Sequence, residues 1–137
     1  MKKIETIIEK QDGLLFARIE GKGNYMPNGY GATLNDALNN LKEIINDYQL
    51  NKGKNDRFWK KVDVSSMQFD LHYDLQAFFE EHDFLNITAV AKRSGINPAL
   101  VRQYASGVKY PSVEQSNKLL GTIHRLGMEL QTVSLHA

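Results

Sequence analysis

LNITAVAKRSGINPALVRQYASGVKYPSVEQSNKLL, residues 85–120, carries the boundary residues of three successive helices. Asn86 is placed to cap a helix from Ile87 to Ser94, and Gly95 supplies the left-handed conformation that stops it. Asn97 caps a second helix with Pro98 at its first position, where the missing N–H costs nothing. That helix runs through Tyr104 to Ser106, and Gly107 ends it. After Val108-Lys109-Tyr110-Pro111, Ser112 caps a third helix with Gln115 in the capping-box position. The order is helix, three-residue turn, helix, loop, helix.

Ala91, Gly95 and Val101 sit at the spacing of a helix-turn-helix. Alanine lets the two helices approach, glycine makes the turn, and a branched apolar residue fills the angle between them. Val90, Ile96, Leu100 and Tyr104 supply the remaining inward positions. Upstream, Asp74 is placed to cap a helix carrying Leu75, Phe78 and Phe79 that ends near Asp83. Downstream, the third helix ends near Glu129-Leu130, and Thr132-Val133-Ser134-Leu135 reads as a short strand.

The front of the chain follows a different period. Lys3–Glu9 and Leu14–Glu20 are β-prone runs around Asp12-Gly13, which reads as a hairpin. Gly21 to Gly31 holds four glycines and a proline and reads as loop, with a short strand near Tyr25. Thr33 begins a helix whose apolar face is Leu34, Ala37, Leu38, Leu41, Ile44, Ile45 and Tyr48. Residues 51–66 read as a loop. Met67, Phe69, Leu71 and Tyr73 then alternate with polar residues, the pattern of a half-buried strand that completes the front sheet. The expected class is α+β: residues 1–73 form a small antiparallel-type sheet with one helix, and residues 74–137 form an all-α helix-turn-helix domain ending in the short strand.

Composition narrows the function. The 137 residues are 42% apolar and 24% charged, a globular make-up that argues against disorder. No apolar run approaches the roughly 20 residues that a membrane span needs. Met1-Lys2-Lys3-Ile4-Glu5 has no apolar stretch behind it, so no secretory signal is expected. Zero cysteines exclude disulfides, thiol nucleophiles and cysteine-based zinc sites. Together these point to a cytoplasmic protein.

The charge is uneven: balanced over residues 1–52, −3 over 53–84 and +4 over 85–137. The basic tail is the candidate for a polyanion partner. His72, His82, His124 and His136 lack ligand spacing, so no metal or other cofactor is expected. Glu5, Glu9, Asp12 and Glu20 on the hairpin read as the wet face of a sheet. Metal-assisted cleavage needs several carboxylates converging on one ion, which this helix does not supply, so no catalytic residue is assigned.

Residues 85–120 resemble the Cro/repressor type of helix-turn-helix. The front, with its Asp-Gly hairpin, glycine-containing loop and Tyr30-Gly31-Ala32-Thr33-Leu34-Asn35-Asp36-Ala37-Leu38 leading into the helix, resembles the HicB-like domain of HicB antitoxins. The resemblance implies a partial RNase H-like front fold and a two-part antitoxin. Such a protein binds and blocks a HicA-type toxin, a small basic RNA-cleaving protein, and represses its own operon as a dimer or higher oligomer on palindromic DNA. It also implies that the chain is not itself an enzyme. The competing reading is a stand-alone transcriptional regulator whose front domain dimerises or senses a ligand.

In a helix-turn-helix the exposed face of the second helix enters the major groove. Arg102 and Gln103 are the candidates for base contact, to guanine and adenine respectively, and Ala99 for a thymine methyl. Asn86, Asn97, Ser106, Lys109 and Tyr110 lie at helix ends or in the following loop, where phosphate contacts occur. For the asparagines, capping is the plain alternative. Tyr25, Met26, Tyr30 and Trp59 are the loop residues able to anchor a protein partner, against the plain alternative that they pack internally.

Overall fold

The computed structural model describes residues 2–137, which divide into two compact units meeting between Ala77 and Phe78. In the first, β1 (Ile4–Gln11) and β2 (Leu14–Arg18) form an antiparallel hairpin. Its turn is Asp12-Gly13, with φ of 52° and 78°, the left-handed pair that a tight two-residue hairpin requires. Alternation sends Ile4, Thr6, Ile8, Leu15 and Ala17 inward, where all are buried. Thr6 is the one polar member of that row, and its hydroxyl donates to Ile4 O at 2.9 Å.

β3 (Asn28–Gly31) pairs antiparallel with β2, Phe16 lying opposite Tyr30. The strand therefore lies further along the Gly21–Gly31 segment than expected, and Tyr25 is outside it. No apolar alternation marked it, because its inward positions are Gly29 and Gly31. Those glycines let α1 (Leu34–Leu50) lie directly on the strand; a Cβ on Gly29 would collide with the backbone of Leu41, and one on Gly31 with Asp36. Thr33 caps α1 by accepting from Asp36 N at 3.1 Å. Ala37, Leu41 and Ile45 are fully buried against the inner face of the sheet. Burial of each large aliphatic side chain here contributes about 1.5–3 kcal/mol.

The sheet is mixed, not antiparallel as expected. β4 (Phe69–Tyr73) runs parallel to β1, with Ile4 opposite Phe69 and Ile8 opposite Tyr73, in the order β3-β2-β1-β4. The reason is topological. A helix stands between β3 and β4, and a chain that crosses a sheet through a helix returns in the same direction. The connection contains two short 3-10 turns, Trp59–Lys61 and Val64–Ser66.

α2 (Leu75–Glu81) spans the division between the units, and Asp74 Oδ1 accepts from Ala77 N at 2.7 Å in its first turn. The second unit holds α3 (Ile87–Ser94), α4 (Pro98–Ala105) and α5 (Val113–Gln131). Asn86, Asn97 and Ser112 cap them by accepting from Ala89 N, Ala99 N and Gln115 N at 3.0, 2.8 and 3.1 Å. Gly95, at φ 71°, ends α3 in the left-handed conformation. The core between these helices is Val90, Ala91, Ile96, Val101, Tyr104 and Leu119. No strand follows α5. Val133 N–H still bonds back to Leu130 O at 3.3 Å, and residues 132–137 are exposed, without a neighbouring strand to supply ladder bonds.

Candidate functional site

The second unit presents a polar helix face. On α4, Val101 and Tyr104 are buried, so the opposite side of the same helix carries Ala99 and Arg102 outward, both exposed. Gln103 is half-buried at the flank of that face, and its carbonyl accepts from Val108 N and Lys109 N at 3.0 and 3.2 Å. This turns the loop after α4 back across the helix end. Lys109 and Tyr110 stand exposed on that loop, Tyr110 at 82%. Asn86, Asn97 and Ser106 are exposed at helix ends, and the first two spend their side-chain oxygens on capping bonds. Ser106 Oγ donates to Gln103 O at 3.1 Å. Of the three residues expected to shape the helix junction, Ala91 and Val101 are fully buried and Gly95 is left-handed.

Two contacts in this unit had no sequence signal. Arg102 Nη1 donates to Thr88 Oγ1 at 3.0 Å, linking the first turn of α3 to the outer face of α4. Ser94 Oγ lies 2.8 Å from the hydroxyl of the buried Thr122, which ties α3 to α5. Of the cations, Arg93 pairs with Glu129 at 2.9 Å and Lys118 approaches Glu114 at 3.9 Å. Both pairs are exposed and add little stability.

The first unit presents the sheet face opposite α1. Phe16 and Tyr30 stack across β2 and β3 with ring centroids 6.0 Å apart, Phe16 half-buried and Tyr30 56% exposed. On β1 of the same face, Glu9 lies opposite Phe16, and the half-buried Ile7 lies opposite Arg18, one step along. That face also carries Glu5, Glu20 and Asp70. Arg18 is held between Glu9 and Glu20, and His72 lies 3.0 Å from Asp70 and 3.5 Å from Glu5. Carboxylates outnumber cations on this face. Among the described residues no group of three or more His, Asp or Glu is placed to hold a metal ion.

The four residues expected to anchor a partner separate. Tyr30 and Met26 are exposed, at 56% and 58%. Tyr25 is half-buried and stacks on Tyr48 at 4.0 Å. With Met26 it lines a shallow groove whose other walls are Asn28, Asn40, Glu43, Ile44 and Asp47. Trp59 is a core residue, fully buried, with its indole N–H donating to Lys22 O and Tyr25 O at 3.0 and 3.3 Å. A partner cannot reach it. Its burial follows from Asp56, which accepts from Asn24 N, Phe58 N, Trp59 N and the Tyr48 hydroxyl at 2.8–3.1 Å and so folds the 51–66 segment over α1. The backbone bonds from Asn24 and Trp59 lead in holding the Asp56 carboxyl down to about 2, and the hydrogen bond that Tyr48 donates to Asp56 raises the Tyr48 phenol.

The chain matches no protein-family model, no curated protein and no solved structure.

Proposed function

We propose that this protein is an antitoxin of the HicAB type. Its helical unit binds operator DNA through a helix-turn-helix, and its partial RNase H-like front unit holds a small basic RNA-cleaving toxin inactive. The observation that carries the reading is the face of α4. Ala99 and Arg102 point outward, with Gln103 at the flank, from a helix that buries its own Val101 and follows α3, with its buried Ala91, after a three-residue turn. That arrangement suits insertion into a major groove, with Lys109 and Tyr110 on the following loop beside the phosphates. The excess of six basic over two acidic residues in 85–137 supports a polyanion partner.

One such unit reads only a few base pairs, so useful specificity asks for two half-sites and a dimer. α5 supplies a stripe for it: Leu120, Ile123 and Leu130 share one side of the helix, and Leu120 and Leu130 are exposed. In the front unit, the Phe16–Tyr30 pair among carboxylates suits a basic protein, which the charge steers and the rings anchor. Residues outside the motif need no chemistry, since covering the toxin's active site suffices. The other reading, a stand-alone regulator sensing a ligand, has the shallow groove beside Met26 as its site.

Co-expression with the product of the neighbouring reading frame, scored by growth and co-purification, tests the antitoxin reading. Rescue of growth and a stoichiometric complex are expected. A toxic neighbour that is neither bound nor neutralised removes that reading and leaves the regulator.

A further inference from the structure

We propose that Thr88 is a positioning residue for sequence readout: its hydroxyl orients the Arg102 guanidinium for a two-bond contact with one base. The inference rests on the operator-binding reading above and adds to it a residue from the other helix of the pair.

Arginine carries five N–H donors on a plane, at the end of a long side chain with many rotamers. An exposed arginine must give up that freedom before it can present two parallel donors to a guanine. Arg102 is exposed, yet its Nη1 is already held by Thr88 Oγ1 at 3.0 Å. The bond uses one side of the plane. Among the described residues nothing engages the Nε and Nη2 donors, and that edge has the fork geometry that guanine O6 and N7 accept.

Thr88 is itself well fixed. It lies in the first turn of α3, two residues after the Asn86 cap, and is half-buried. As a β-branched residue on a helix it has few side-chain rotamers. The anchor is stiff and the arm is long, which is the arrangement in which one hydrogen bond removes the most disorder. Its position on α3 places it outside the helix that reads the bases, so its effect on specificity runs through Arg102.

The test uses the full chain. A preferred duplex is selected from a pool of random sequence, and affinity is then measured for that duplex and for versions changed at each base pair, across a salt series. Arg102→Ala identifies the position that Arg102 reads. Thr88→Val keeps the shape and branching of the side chain and removes the hydroxyl; it is expected to lose about tenfold in discrimination at that same position. The melting temperature and the salt slope should stay as in the parent, because no phosphate contact is lost. Thr88→Ser restores the hydroxyl and should restore discrimination. The double variant should discriminate no worse than Arg102→Ala alone, since both changes act through one contact.

Full discrimination in Thr88→Val, or a loss at a different base pair from that of Arg102→Ala, overturns the positioning role while operator binding stands. Equal relaxation at every position overturns it too. A parent chain that selects no preferred duplex overturns the operator-binding reading, and the role of Thr88 with it.

Discussion

Asp56 collects four donors on one carboxylate. Its folded value is about 2, below the ordinary 3.8, so the contribution of these bonds is fully present above pH about 4. It is lost as pH falls through 2. Acid unfolding of the first unit should therefore steepen between pH 4 and 2, and Asp56→Asn should flatten that part of the profile while lowering stability at neutral pH. Circular dichroism melts across the range check both. Trp59 is held by the same cluster, and Trp59→Ala should cost about 3–5 kcal/mol in denaturant unfolding. In the helical unit, Arg102→Ala should cost about 1–3 kcal/mol of specific DNA binding and relax one base position. Lys109→Ala should instead weaken all sequences alike and reduce the salt slope by about one. Gel shifts over a salt series separate the two; an Arg102→Ala protein with intact sequence preference contradicts the assignment of Arg102.

Among the elements, the helices of the second unit were legible because each boundary is marked by a residue whose chemistry acts locally. Asn86, Asn97 and Ser112 cap within three residues, and Gly95 needs only its own φ. Asn86→Ala should accordingly cost about 1 kcal/mol of stability. β3 was not legible in its true place, because its inward residues are glycines and its information is held by α1. Gly29→Ala should destabilise the first unit by about 1–3 kcal/mol, since the added Cβ meets backbone that has no room to yield. Loss of less than half a kcal/mol in a urea titration would show that β3 and α1 can part. The direction of β4 was equally hidden, as alternation identifies a strand but says nothing of which neighbour it meets. Trp59 misled for a related reason. Its place in a loop suggested a residue able to anchor a partner, while the cluster that buries it joins Asp56 to Asn24, 32 positions away in sequence.

At the scale of the whole molecule, the chain divides near Ala77, and the DNA-reading candidates all lie beyond it. A fragment of residues 74–137 should be helical by circular dichroism and retain weak, salt-sensitive DNA binding; an unfolded fragment would mean that the helical unit depends on the sheet. The candidate site was legible in the second unit to the level of which residues face outward, because a helical motif with fixed spacing carries its own orientation. In the first unit it was not. The Phe16–Tyr30 pair exists only through the register of two strands, and the hydroxyl link between Ser94 and Thr122 only through the packing of α3 on α5.

The parallel pairing of β1 with β4 also sets an order of events during synthesis. The hairpin and α1 can form as they emerge, from contacts close in sequence, whereas β1 must wait for a partner that closes a loop of roughly 65 residues. Until Tyr73 has left the ribosome, one edge of β1 stays unpaired, a template for any strand that arrives first. A nascent or truncated chain ending near residue 66 is therefore the sticky form of this protein. Chaperone capture and aggregation should peak for such chains and fall sharply once residues 69–73 are added.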